Sequence, residues 1–414
     1  MNSQAPDNTQ PEQQQPVAPQ PIEKKGTKIS SDILKRFRRK NYELHPYYPL
    51  VIVFVICAVL GSVAICVLPD REPRPLQHWR GISIVADSMI TFVPETSFSV
   101  LAEFELPTAF TAVDENGLLV CGGGKNGENC KIVHYSNSGE ILARIAIPAL
   151  PTDILLCGES PHYAGKILVA YRYGVWVYDW RGHQLQVISA PVPMAPEKET
   201  FVAAIAVLGD HLFMADALQE KVYRFNTAGE CDLVIGKGVS RDEAGNLFPG
   251  FAADGLYFDM VAGPDETIIV ASPKNNQVAA FRSDGTWLPS KSWAKKSYSF
   301  QSLYESNSTQ FPLDEFFVGN PISIASLRDG RVITTERVVN HVKVFSAAGD
   351  FLAYVTPPEF FSDEQSMLLR IKQELLRQEQ STIWFPTLVV DVLPSEKIMV
   401  LDQSNQTVHL FSEK

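Results

Sequence analysis

A chain of 414 residues with a formal net charge of −11 is long enough for one large repeat domain plus a terminal anchor. The charge is uneven, because residues 1–49 hold 8 Lys and Arg against 5 Asp and Glu, while the rest of the chain holds 28 against 42. The acidic part would be repelled by backbone phosphates, so no nucleic-acid partner is expected.

The N-terminal segment is polar and rich in Gln and Pro. Residues 1–28 contain runs such as QQQP and PQP and few apolar side chains that could offset the entropy lost on ordering. Residues 1–49 are therefore predicted to form a disordered, basic tail.

Residues 50–68 form an uncharged apolar span, LVIVFVICAVLGSVAICVL, bracketed by Pro49 and Pro69. A helix of this length crosses the ~30 Å hydrocarbon core of a bilayer. The basic cluster at residues 35–40 predicts a cytoplasmic N-terminus and an extracytoplasmic C-terminal domain, which is periplasmic in a bacterium. A cleavable signal peptide is the alternative, although its apolar region usually has ~7–15 residues. Residues 69–97 are predicted to be a linker.

An internal repeat follows the linker. An aromatic residue is followed, after three residues, by Gly in five pairs: Tyr135/Gly139, Tyr178/Gly182, Phe225/Gly229, Phe281/Gly285 and Phe345/Gly349. Phe411 is a sixth aromatic, just before the chain ends. Each pair ends a run of short, β-branched segments separated by turn residues, which is typical of a four-stranded propeller blade of roughly 40–50 residues. The sequence therefore predicts an all-β, six-bladed β-propeller over residues 98–414.

The last repeat has no room for a fourth strand. Residues 99–107, SVLAEFELP, match the apolar pattern of residues 140–148, EILARIAIP, which follow the first Gly of the repeat. We expect residues 99–107 to complete the sixth blade and to remove two exposed strand edges.

These repeats resemble the NHL-repeat family, and more loosely its small bacterial membrane-anchored members. The resemblance implies a six-bladed propeller and is weak for function. Relatives carry a Cys pair before an Asn-Pro in the fifth unit, whereas Val318 and Gly319 precede Asn320 and Pro321 here. Any role that depends on that Cys pair is therefore not implied for this chain.

Four polar residues near the starts of inner strands are candidate ligand-binding residues at the channel face: Asp153, Asp259, Asn320 and Asp391. By their spacing from the repeat they do not share one register, so no metal or other cofactor is expected. The predicted function is a non-catalytic scaffold that binds a protein partner or a small ligand at the propeller face. The alternative is a calcium-dependent lactonase or hydrolase of the same fold, whose channel carboxylates would ligate the ion.

A second group of acidic and hydroxyl side chains ends the second strands of units 3 to 6: Asp216, Ser272, Glu336 and Asp402. Such residues accept N–H groups of a following tight turn, and this role is favoured over a ring of ligands.

Two cysteines flank the loop between two strands of the first unit. Cys121 and Cys130 could pair as a cross-strand disulfide in an oxidising compartment, and two free thiols are the equal alternative.

Three insertions exceed a turn. Residues 236–256 and 288–320 join blades, and either form a lid over the channel or decorate the surface. Residues 363–379 carry apolar side chains at helical spacing after a capping-box pattern, which predicts an inserted helix.

Overall fold

The computed structural model describes residues 90–124, 126–158, 160–191, 199–298, 316–317, 321–336, 342–355, 360 and 387–414. The predicted tail at 1–49, the predicted membrane span at 50–68 and the predicted helix at 363–379 lie outside this part. Within the described ranges, no helix is long and apolar enough to cross a bilayer.

Strands make up most of the described chain. In order they are β1 (Phe92–Ser99), β2 (Leu106–Asp114), β3 (Gly117–Gly123), β4 (Lys131–Ser136), β5 (Ile141–Ala146), β6 (Pro151–Leu156), β7 (Ile167–Tyr171), β8 (Gly174–Tyr178), β9 (Gln184–Ser189), β10 (Val202–Leu208), β11 (His211–Asp216), β12 (Lys221–Phe225), β13 (Cys231–Ile235), β14 (Asp259–Gly263), β15 (Thr267–Ser272), β16 (Gln277–Arg282), β17 (Trp293–Ala294), β18 (Ser297–Tyr298), β19 (Phe316–Phe317), β20 (Pro321–Ser326), β21 (Val332–Glu336), β22 (Val342–Phe345), β23 (Phe351–Tyr354), β24 (Leu388–Val392), β25 (Ile398–Asp402) and β26 (Thr407–Glu413). Two single-turn 3-10 helices cover Pro273–Asn275 and Pro289–Lys291.

The strands form six four-stranded antiparallel sheets, which are the blades of a propeller. Blade 1 is β2–β5, blade 2 is β6–β9, blade 3 is β10–β13, blade 4 is β14–β17, blade 5 is β20–β23, and blade 6 is β24–β26 with β1. A short parallel pair, β18 and β19, lies in the chain between blades 4 and 5. The first strand of every blade contacts the first strands of both neighbouring blades, and β24 contacts β2. The predicted six-bladed propeller is therefore confirmed.

The repeated aromatics anchor the blades. Tyr135, Tyr178, Phe225, Phe281, Phe345 and Phe411 are all nearly or completely buried. Each of the five glycines that follow has a positive φ, between 79° and 89°. That backbone conformation favours Gly at the tight turn into the fourth strand. The spacing of the pair thus follows from one buried ring and one left-handed turn in each blade.

The outer strand of blade 6 comes from the other end of the propeller sequence. β1 pairs antiparallel with β26, with Phe98 opposite Val408 and Ser99 opposite Thr407. This strand is Phe92–Ser99, so the prediction that residues 99–107 form it is wrong, and the propeller begins before residue 98.

Residues 100–105 instead connect blade 6 to blade 1. Val100 and Phe104 are buried in one cluster with side chains of both blades. Glu103 binds Lys131 and Arg144 of blade 1 at 2.7 Å each. The apolar pattern was misleading because a connector that packs between two sheets buries residues at spacings that imitate an outer strand.

The connector at residues 236–256 packs into the core between blades 3 and 4. Phe248 and Phe251 are buried against Phe258 and Phe281, with ring centroids 4.8–5.5 Å apart. Residues 248–254 of this insertion are therefore part of the core, whereas residues 237–247 are mostly exposed at the surface. Burial of two large rings fixes its path across the end of the ring of blades.

We expect Phe92→Ala to lower the free energy of unfolding by about 3 kcal/mol, because it leaves a cavity in a core cluster shared by blades 5 and 6. Thr96→Ala, on the exposed part of the same strand, should change it by less than about 0.5 kcal/mol. Denaturant unfolding of the purified full chain measures both values. Equal, small losses would mean that β1 contributes little to blade 6.

Candidate functional site

The ring of blades encloses a channel with a cavity of about 1400 Å³. Its lining comes from the inner strands, from the turns at Arg172–Tyr173 and Gln403–Gln406, and from connectors between blades, including Leu150 and Tyr257. The turns and connectors lie where the inner strands begin, which we call the connector end, and residues such as Leu155 and Val207 extend the lining along the inner strands.

Asp153 and Asp259 line the cavity and join neighbouring blades. Asp153 on β6 accepts the N–H of Ile154 through Oδ1 and that of Ile205 on blade 3 through Oδ2, both at 2.8 Å. Asp259 on β14 makes the equivalent pair of 2.8 Å bonds with Met260 and with Ile324 on blade 5. Each carboxylate therefore fastens its own inner strand to the next one.

Asp391 closes the ring in the same way. Its Oδ1 accepts the N–H of Val392 at 2.8 Å, and its Oδ2 accepts that of Ala112 on blade 1 at 3.0 Å. Asp391 thus holds blade 6 to blade 1.

The three aspartates were expected to lie at non-equivalent positions of their inner strands. The strand pairing shows that this expectation is wrong for Asp153 and Asp259, which lie at equivalent positions. Asp153 pairs with Ala170, and Asp259 pairs with Ala271. In both blades this Ala lies three residues after the residue that pairs with the repeat aromatic. Asp391 lies two residues further along its inner strand. The fourth candidate, Asn320, lies outside the described residues.

The channel raises the pKa of all three carboxyls. Burial raises the pKa of Asp153 well above its usual range, and the charges of Asp259 and Asp391 raise it further. Burial also raises the pKa of Asp259 to about 6, against the lowering effect of its N–H donors and of Ser323. Burial raises the pKa of Asp391, and hydrogen bonds from Ala112, Val392 and Thr111 counteract this rise. The three carboxyls thus resist becoming charged together.

These carboxylates do not suit calcium. All six oxygens already accept a backbone N–H, and each side chain is drawn toward a different seam between blades. Across the residues that the structure describes, no three His, Cys, Asp or Glu side chains are grouped to hold a metal ion. A calcium ion would have to share these oxygens with the backbone N–H groups that fasten the blades, and the three side chains turn toward different seams.

The residues that end the second strands serve turns, as expected for two of them. Asp216 Oδ1 accepts the N–H groups of Leu218 and Gln219 at 3.0 Å, and that of Phe201 at 3.2 Å. Asp402 Oδ1 accepts those of Ser404 and Asn405. Glu336 differs, because it forms a buried ion pair with Lys343.

Cys121 and Cys130 are free thiols in the described structure. Cys121 pairs with Ile132, which places Cys130 diagonally across the two strands. The Cys130 thiol donates to the Gly127 carbonyl at 3.1 Å. Burial raises the pKa of Cys121 to about 12, so its thiol is unreactive at neutral pH.

Aromatic residues form a second part of the lining that the sequence reading missed. Tyr171 and Trp176 stack with ring centroids 4.0 Å apart and planes 2° from parallel. Tyr173, in the turn between their strands, meets Tyr171 edge-on at 6.4 Å. The sequence does contain a signal for this part of the lining, because three aromatic residues fall within six residues of blade 2 and none of them is at the repeat position.

No protein-family model and no curated protein sequence matches the chain. Solved structures that are similar in fold include virginiamycin B lyase from Staphylococcus aureus, with 9% identity, a TM-score of 0.46, and coverage of 78% of this chain and 99% of that one. A protein of unknown function from Bacteroides thetaiotaomicron has 8% identity, a TM-score of 0.47, and coverage of 79% and 77%. The WD40 propeller domain of Doa1 has 11% identity, a TM-score of 0.41, and coverage of 78% and 97%. Similarity at this level concerns the fold alone.

Asp259→Asn should flatten the pH dependence of stability. The pKa of Asp259 rises from an ordinary 3.8 to about 6 on folding, so the folded state binds this proton more tightly. This carboxyl therefore contributes stability that is complete below about pH 4 and is lost as pH rises through about 6.

Thermal unfolding of the purified full chain at several pH values between about 4 and 7 measures the slope. We expect a shallower decline for Asp259→Asn than for the native protein, with a residual decline from Asp153 and Asp391. Glu115→Gln, at an exposed turn, should retain the native slope. A native midpoint that rises across this window would contradict the prediction.

Proposed function

We propose that the protein is a membrane-anchored, extracytoplasmic propeller of the NHL-repeat type that binds a ligand in its channel without chemical conversion. The observation that carries this proposal is the 1400 Å³ cavity at the connector end, which is large enough for a small molecule. Asp153, Asp259 and Asp391 accept backbone N–H groups that hold neighbouring blades together. Such a site offers shape and charge for recognition.

The membrane anchor is supported by the sequence. The uncharged span at residues 50–68 follows the basic cluster at residues 35–40, and this order favours a cytoplasmic N-terminus. The channel would then meet its ligand, or a ligand-bearing partner, on the outer side of the membrane.

A calcium-dependent hydrolase is the other function considered for this fold. It needs several channel oxygens that converge on the ion, and Asp153, Asp259 and Asp391 instead turn toward the backbone at three different seams. Binding is therefore the better supported function.

Filling the channel should abolish binding. Ala203 lies on the inner strand β10 and lines the cavity, so Ala203→Trp places an indole in it. Ala143→Trp on the exposed outer strand β5 is the matched control. We expect at least one class among small organic amines, organic carboxylates and neutral sugars to raise the unfolding midpoint of the native protein and of Ala143→Trp, but not of Ala203→Trp.

Two results of this thermal-shift experiment would contradict channel binding. One is that no class of compound stabilises the native protein. The other is that Ala203→Trp responds as the native protein does.

A reporter fused after Lys414 tests the topology. We expect a phosphatase that is active only outside the cytoplasm to be active in this fusion, because the basic cluster should keep the N-terminus inside. The matched fusion of a reporter active only in the cytoplasm should be inactive. The reverse pattern would contradict the extracytoplasmic placement.

A further inference from the structure

The seam between blades 1 and 2 is open toward the cavity, unlike the seam between blades 3 and 4. Only residues 147–150 separate β5 from β6. The connector between blades 3 and 4 is much longer and buries Phe248 and Phe251 at its seam. The short connector brings Leu150 into the lining, together with Tyr171 and the nearly buried Trp176, whose rings stack on each other.

Blade 2 also has a short turn at the rim of the cavity. Its second and third strands are joined by a turn of two residues, Arg172 and Tyr173, whereas blades 3, 4 and 6 use four residues there. Bulky Tyr173 occupies a position where short polar residues or Gly usually serve the turn, and 57% of it is exposed. A large aromatic side chain that is more than half exposed at a cavity rim can contact a ligand.

The lining has acidic side chains on three inner strands and, among the residues described, a single basic side chain. That residue is Arg172, which forms an ion pair with Glu199 and lies over the ring of Tyr173 at 5.3 Å. Its charge is thus partly balanced before a ligand arrives. Asp153, Asp259 and Asp391 leave the cavity electrostatically suited to a cation.

We propose that this open seam, lined by Leu106, Leu150, Tyr171, Tyr173 and Trp176, is an aromatic subsite for a small organic cation that carries a planar ring. The proposal rests on the proposed function and specifies its ligand class. The ring of the ligand lies against the rings of blade 2, and its cationic group faces the channel. Cation–π attraction and the acidic channel then act on the same ligand.

Benzyltrimethylammonium is a suitable probe, because it combines a fixed cation with one ring. Tetramethylammonium lacks the ring, and phenylacetate keeps the ring but reverses the charge. Isothermal titration of the full chain in detergent should give saturable binding of benzyltrimethylammonium in the micromolar to millimolar range. Binding of the other two probes should be at least about tenfold weaker, since each loses one of the two attractions.

Two variants localise the subsite. Tyr173→Ala should raise the Kd of benzyltrimethylammonium about five- to tenfold, because it removes the exposed ring. Trp180→Ala removes another exposed aromatic, in the turn between β8 and β9 at the opposite end of the blade, and should leave the Kd within about twofold. Unfolding midpoints of both variants verify that each remains folded.

Several outcomes would overturn the cationic subsite. They are the absence of saturable benzyltrimethylammonium binding up to millimolar concentration, equal binding of phenylacetate, or equal effects of the two variants. If compounds of another class bind and Ala203→Trp abolishes their binding, the channel function stands while the ligand class fails. If Ala203→Trp has no effect on any ligand, the proposed function fails as well.

Discussion

Hydrogen bonds between a side chain on one inner strand and the backbone of the next inner strand determine the geometry of the channel. An inner strand has one edge with no strand partner, and its N–H groups there need acceptors when they are buried. Asp153, Asp259 and Asp391 supply these acceptors at alternate seams, between blades 2 and 3, 4 and 5, and 6 and 1. The Ser323 hydroxyl does so between blades 5 and 6, accepting the N–H of Val390 at 3.2 Å.

This arrangement has an electrostatic cost that bears on function. Burial disfavours ionisation of all three channel carboxyls, and the charges of neighbouring carboxylates add to this effect for Asp153 and Asp259. A bound cation would lower their pKa values and stabilise the charged forms. The groups that hold the blades together therefore also favour positively charged ligands, without any carboxylate leaving its backbone partner.

The repetitive part of the fold was predictable from sequence, because each blade needs one buried aromatic and one Gly with a positive φ at fixed spacing. The outer strand of blade 6 was misplaced because β1, FVPETSFS, is mostly exposed and carries little apolar pattern, whereas the connector after it buries Val100 and Phe104. The local apolar pattern of a sequence indicates which residues are buried. It does not distinguish a strand from a connector that packs between sheets.

The candidate site was predictable only in part. Asp153, Asp259 and Asp391 were found as polar residues near the starts of inner strands, and all three line the cavity. Their partners on neighbouring blades could not be found, because contacts between Asp391 and Ala112 join residues 279 positions apart. The aromatic part of the lining was missed because its contact with the cavity depends on the short connector between blades 1 and 2.

The seam between blades 1 and 2 is open because its inner strand carries no carboxylate that could accept a backbone N–H of the next blade. At the register of Asp153 and Asp259, blades 1 and 3 carry Ala109 and Ala204, whose side chains offer no acceptor. Their seams must therefore be stabilised by packing. Two phenylalanines from a long connector do this between blades 3 and 4. Between blades 1 and 2 an apolar cluster of both blades does this. The stacked rings of blade 2 are the part of that cluster that lines the cavity, where a ligand ring can extend the packing.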